Sequence, residues 1–206
     1  MMKIETYPLG VYQANCYLVS QDDSYLIIDP GSKPEFIKSK ISPNSKVLAI
    51  LLTHGHFDHF AAAEDLADFY RVDIYIHKED EELLSDPLKN YSDHRNVSCT
   101  KHVQAIDGHY LKIGPFKINV FHTPGHSPGS VCYLIDSHMF TGDLLFKNSI
   151  GHNLNCKRSP LLLKRPHTSI RFQKYRHFHF LNSPKPSRIS VALRVNLADL
   201  KIHFPE

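Results

Sequence analysis

Val47-Leu48-Ala49-Ile50-Leu51-Leu52-Thr53-His54-Gly55-His56-Phe57-Asp58-His59 joins an unbroken apolar run to four potential metal ligands within six positions. The run Val47–Leu52 has strand length and no polar alternation, which predicts a strand buried on both faces. A loop leaving such a strand can turn several side chains inward together. Neutral imidazole and carboxylate are common ligands for zinc and related ions. Three histidines and an aspartate exceed what one tetrahedral ion takes from one loop, so the count points to two adjacent ions. Two such ions can share a bridging hydroxide and activate it at neutral pH. The bland reading is a solvated, histidine-rich turn. The chain has 15 histidines, so a single one carries little weight, but four donors at this density after a buried strand argue against that reading.

Outward from the cluster, the first 150 residues read as an α/β pattern. Tyr12–Val19 and Tyr25–Asp29 are a predicted strand pair, broken by Pro30-Gly31-Ser32. Glu35–Lys40 is a predicted short helix. Ala61–Tyr70 is another, with Leu66, Phe69 and Tyr70 on its apolar side. Val72–Ile76 is a strand, Lys78–Ser85 a short helix, and 86–102 a loop. Strands follow at Tyr110–Ile113, Phe116–Phe121, Val131–Ile135 and His138–Thr141. Strands in runs with helices between them predict two sheets packed face to face and covered by helices.

Two later segments join the cluster. His122-Thr123-Pro124-Gly125-His126-Ser127-Pro128-Gly129-Ser130 and Phe140-Thr141-Gly142-Asp143 each follow a predicted strand, so His126 and Asp143 can reach the same sheet edge. With Thr53–His59 they resemble the signature of the metallo-β-lactamase superfamily. Within it, the chain is most similar to the hydroxyacylglutathione hydrolase group. Asn15-Cys16-Tyr17-Leu18-Val19 and Ile28-Asp29-Pro30-Gly31 also look like that family's first strands. The resemblance spans about residues 3–151 and implies an αββα sandwich. It implies that His54, His56 and His126 hold a first metal, that Asp58 and His59 belong to a second, and that Asp143 bridges. Asp58 would also orient the attacking hydroxide. Two divalent ions are implied, zinc first, with iron or manganese compatible. The implied reaction is hydrolysis of a small hydroxyacyl thioester by a metal-bound hydroxide, with a thiolate leaving. A lactonase or a single-iron sulfur dioxygenase is a neighbouring outcome.

His122 reads as a strand-end histidine supporting the loop. His77, His94, His102 and His109 read as surface or loop residues. Cys16 and Cys132 read as buried structural thiols. The four cysteines form no CxxC pair, the N-terminus has no apolar signal core, and no apolar run approaches the roughly 20 residues of a membrane helix. A cytoplasmic protein without membrane partners is expected.

The tail breaks this pattern. Residues 1–150 hold 13 Lys+Arg against 19 Asp+Glu, a net of −6, whereas 151–206 hold 11 against 2, a net of +9. Five prolines punctuate it and no periodicity organises it. The resemblance implies a later Gly-His-Gly-like motif supplying the last second-metal ligand, and that motif is absent. His177 and His179 stand at a suitable distance in an unsuitable context, so the seventh ligand is unassigned. The expected organisation is a domain over 1–151 and a basic tail over 152–206. Three readings stay open for that tail. A frame shift near codon 151 would leave an incomplete, catalytically impaired fold. The tail could instead be a genuine divergent end, or an RNA-binding extension drawn to phosphates. Scattered basic residues without a recognisable module weigh against the last.

Overall fold

The computed structural model describes residues 1–146 in full and the backbone of three short strands at 149–150, 179–180 and 192–194. The first sheet has six strands in sequence order: β1 (Lys3–Leu9), β2 (Ala14–Gln21), β3 (Ser24–Ile28), β4 (Lys46–Leu51), β5 (Ile74–His77) and β6 (Val103–Ile106). β1 to β3 are antiparallel neighbours, and β3 to β6 run parallel. Three helices fall between them: α1 (Pro34–Lys40), α2 (Phe57–Phe60) and α3 (Ala63–Tyr70). The second sheet is antiparallel. Its fully described strands are β7 (Tyr110–Ile113), β8 (Phe116–His122), β9 (Val131–Ile135) and β10 (His138–Phe140). A two-stranded ribbon, β11 (Leu145–Phe146) with β12 (Ser149–Ile150), follows. β13 (His179–Phe180) and β14 (Ala192–Arg194) extend the second sheet beyond β10.

Period-two alternation sorts the central strands onto two cores. Cys16, Leu18, Ile27 and Ile50 face one way and pack with Ile37 of α1 and Leu66 and Ala67 of α3. Tyr17, Val19, Leu26, Ile28, Ala49 and Leu51 face the other way and meet Ile118, Val120, Val131, Tyr133, Ile135 and Phe140 of the second sheet. β4 therefore lies between a helical layer and a sheet, which is why Val47–Leu52 carries no polar position. The described residues form one helical layer and two facing sheets, three layers of the expected αββα sandwich. The outer face of the second sheet carries Phe121, Cys132, Leu134 and Met139, all buried. The expected second helical layer and the tail's three readings fall on residues outside those described.

Several expectations need correction. The predicted helix Ala61–Tyr70 is present as α3, which starts later, at Ala63, with Ala62 as its N-cap, and a separate short helix, α2, precedes it inside the histidine cluster. This phase puts Leu66 inward but leaves Phe69 61% exposed. The short helix expected over Lys78–Ser85 is present, as a 3-10 helix. β1 and β6 were not expected. His77 is not a surface residue: β5 is hydrogen-bonded on both sides, and His77 at its end is 5% exposed. Its ring stacks on that of His122 at 4.0 Å. Cys16 and Cys132 are buried as expected, and burial pushes the Cys132 thiol up to about 12.

Candidate metal centre

Three loops converge at one edge of the sandwich. The first leaves β4 and carries His54, His56, Asp58 and His59. The second leaves β8 and carries His126. The third leaves β10 and carries Asp143. The two sheets are tied together here, since Val131 N–H donates to Thr53 O at 2.9 Å and Tyr133 O–H to Leu52 O at 2.8 Å.

The convergence produces two overlapping groups. His54, His56 and His126 offer one donor atom each within 4.8 Å of one another, and so do His54, His59 and Asp143. His56 Nδ1 stands 2.9 Å from His126 Nε2. Asp143 faces both groups, with Oδ1 at 3.2 Å from His59 Nε2 and Oδ2 at 3.4 Å from His126 Nε2. The Asp58 carboxylate belongs to neither group, although its charge acts on His59. His122 also stays outside both: its Nε2 bonds Pro128 O at 2.8 Å and so braces the loop carrying His126. His179 lies in β13, and its side chain is outside the described residues.

Hydrogen bonds fix which ring nitrogens face the centre. Asp29, fully buried, accepts from Thr53 N at 2.8 Å, from Thr53 Oγ1 at 2.6 Å and from His59 Nδ1 at 3.0 Å. The Thr53 hydroxyl spends its single proton on Asp29, so at 3.1 Å it accepts from His54 Nδ1. His54 Nε2 is then left deprotonated. That atom is buried and has no hydrogen-bond partner. A buried acceptor without a partner costs about 1–3 kcal/mol, and a cation ligated there removes the cost. Asp29 and Thr53 were not singled out as site residues by the sequence, although Asp29 stands in a segment that looks like one of the family's first strands.

The electrostatics agree with a cation site. Burial, then the neighbouring His59, His56 and His126, hold the His54 imidazole well below its ordinary value. Burial and then His126 push His56 down to about 3. Both rings therefore offer neutral lone pairs. His59 differs. Burial opposes its charge, but the carboxylates of Asp143, Asp29 and Asp58 outweigh it and hold His59 well above the ordinary value. Burial works against ionisation of Asp143, yet His59, and then His126 and His56, hold it below the ordinary carboxylate value. The proton shared by His59 and Asp143 supplies positive charge to this group, as a divalent cation held there would. The donor set thus fits metal ions.

Gly142 adopts φ +49°, and a Cβ there would run into Thr53 Oγ1. The third loop is seated directly on the first at the residue that orients His54. Thr53→Val should therefore lose both the tautomer control on His54 and one donor to buried Asp29. A destabilisation of about 1–3 kcal/mol is expected, with a 10–100-fold loss of metal affinity. Urea unfolding and a zinc competition titration check the two effects separately.

A two-sheet sandwich that gathers such a cluster at its edge defines a protein of the metallo-hydrolase class. The chain belongs to the metallo-beta-lactamase superfamily, whose family model matches residues 9–191. It is similar to the Bacillus subtilis protein named "Probable metallo-hydrolase YqgX", 39% identical over 158 residues that cover 73% of this chain and 74% of that one. Hydroxyacylglutathione hydrolase GloC of Haemophilus influenzae is 34% identical over 164 residues, covering 73% and 75%. Among solved structures, the B3 metallo-beta-lactamase BLEG-1 superposes with a TM-score of 0.68 at 38% identity, covering 73% and 76%. TTHA1623 in a di-iron-bound form gives 0.61 at 32%, covering 72% and 76%. No helix among the described residues is long and apolar enough to cross a membrane.

Proposed function

We propose that the chain is a metal-dependent hydrolase of small hydroxyacyl thioesters. His54, His56 and His126 hold one divalent ion, Asp58 and His59 belong to a second, and Asp143 lies between them. Zinc is the first expectation for both. The carrying observation is His54 Nε2, a buried and unpartnered lone pair at the point the two donor groups share. The bound ions supply an activated water and charge stabilisation for the carbonyl oxygen. The chain's own residues prepare that site. Thr53 and Asp29 set the ring tautomers, burial keeps His54 and His56 neutral, and Asp143 stays ionised with both oxygens engaged. Asp58 orients the nucleophile. A thiolate leaves without a strong general acid, so a thioester suits a site whose titratable groups are committed to the cluster. The similarity to GloC supports the hydroxyacyl class. The three cysteines among the described residues are buried free thiols, which supports a cytoplasmic setting.

The test is chelation. Treatment with EDTA should abolish hydrolysis of an S-lactoyl thiol, and added zinc should restore it. Full activity after complete metal removal would defeat the proposal.

One observation favours a second reading, an incomplete enzyme with a single filled site. Among the described residues, the second donor group ends at His54, His59 and Asp143, and His54 is shared with the first. One metal per chain by elemental analysis would favour it, and two would exclude it. Translating the other two frames downstream of codon 151 tests its genetic cause. An open frame encoding a Gly-His-Gly motif supports a shift, and none in either frame defeats it.

A further inference from the structure

The short 3-10 helix Lys78–Ser85 follows β5 and supplies no residue to either donor group. Its Asp80 is nevertheless fully buried, and it has no Lys or Arg ion-pair partner among the described residues. A buried carboxylate is costly unless its oxygens are fully bonded. Asp80 Oδ2 accepts from Gly55 N at 2.9 Å and from Ser127 Oγ at 2.5 Å, and Oδ1 accepts from Gly129 N at 2.6 Å.

Those three donors come from two different loops. Gly55 lies between His54 and His56. Ser127 directly follows His126, and Gly129 closes the same loop. One carboxylate therefore spans the two segments that must meet to form the three-histidine group. Ser130 tightens the second segment: its Oγ accepts from Ser127 N at 3.0 Å and donates to Ser127 Oγ at 2.6 Å. The Ser127 proton is thereby directed at Asp80.

Packing repeats the message. A Cβ on Gly129 would stand 2.6 Å from Asp80 N and 2.8 Å from Asp80 Cβ, and one on Gly55 would stand 2.7 Å from Leu83 Cβ and 3.0 Å from Asp80 O. Both loops rest directly on this turn.

We infer that Asp80 is a positioning residue for the metal centre: it sets the separation of the two histidine loops before any ion binds. The inference rests on reading His54, His56 and His126 as a metal site. Only a carboxylate fits the role. Asparagine has the same shape, but its amide NH2 would face either Gly129 N–H or the pair Gly55 N–H and Ser127 O–H, donor against donor. One loop would be pushed away and the three rings would lose their common distance.

The test compares wild type, Asp80→Asn and Ser127→Ala as full-length protein. Zinc affinity is measured by competition with a chromophoric chelator. Cobalt(II) absorption reports ligand geometry, and the melting temperature of the metal-free form reports stability. Asp80→Asn should bind zinc 10–100-fold more weakly and shift the cobalt spectrum. Ser127→Ala, which loses one bond of three, should show a smaller loss in the same direction. A variant that melts lower yet keeps wild-type zinc affinity and cobalt spectrum overturns the inference, because Asp80 would then only hold the fold. If Asp80→Asn does not fold, Ser127→Ala decides, and unchanged zinc affinity there overturns it. Wild type that binds no zinc or cobalt would instead defeat the underlying metal-site reading.

Discussion

Asp143→Asn should lower kcat/KM for thioester hydrolysis by about 1,000-fold or more, which corresponds to about 4 kcal/mol, while leaving the fold intact. The reason is the two-sided use of the carboxylate. Oδ1 faces His59 and Oδ2 faces His126 at 3.2 and 3.4 Å, so each oxygen serves a different donor group. Asparagine keeps one acceptor and turns an NH2 toward the other group, where a cation should sit. It also removes the negative charge that holds His59 well above its ordinary value. If both donor groups hold a cation as proposed, Asp143 is the anion that faces both, and Asp29 and Asp58 belong to neither group. Metal content should fall below that of wild type in parallel with rate. Side-chain volume hardly changes, but the buried ion pair with His59 is lost, so the metal-free variant should melt below wild type while remaining folded. A variant with unchanged metal content and a rate within tenfold of wild type would remove Asp143 from the centre.

The contrast between Asp143 and Asp80 shows what could be read from the sequence and what could not. Asp143 follows a strand and ends Phe140-Thr141-Gly142-Asp143, so local order suggests that it reaches the sheet edge. Asp80 stands in Glu79-Asp80-Glu81-Glu82, which reads as a solvated acidic surface. Its partners are 25, 47 and 49 residues away, and nothing local distinguishes it from its exposed neighbours. Asp29 is similar: its segment is visible, but its three bonds to Thr53 and His59 are tertiary. β4 was legible because burial on both faces removes every polar position after Lys46. β1 was not, since Lys3–Leu9 is mostly half-buried and mixes Lys3, Glu5 and Pro8 into the strand. α3 was legible as a helix, but its phase was not. Within α3, Ala63, Leu66 and Ala67 take the buried face and Phe69 falls outside it. The reading of the tail depended on composition and a missing motif, and both concern residues outside those described.

Phe140→Ala should cost about 3–5 kcal/mol of stability, the range for deleting a large buried ring. Phe140 is fully buried between the sheets, meets Tyr17 edge-on with ring centroids 5.0 Å apart, and pairs in register with Tyr133. The surrounding wall is made of strands hydrogen-bonded on both sides, so it cannot collapse far into the cavity. Urea unfolding should show a lower midpoint at an unchanged slope. Phe69→Ala provides the contrast. That ring is 61% exposed, and its loss should stay below about 1 kcal/mol. The two phenylalanines stand on elements of similar apolar content, so the difference between them tests the observed phase of α3 as well as the inter-sheet core. A function readout is coupled to the same change. Phe140 lies three residues before Asp143 on the strand that delivers it, so movement of β10 into the cavity shifts the carboxylate. At urea concentrations where the variant is still folded, zinc affinity should already be weaker than wild type. Loss of stability with fully retained zinc affinity would show instead that the Gly142 contact with Thr53 alone holds Asp143 in place.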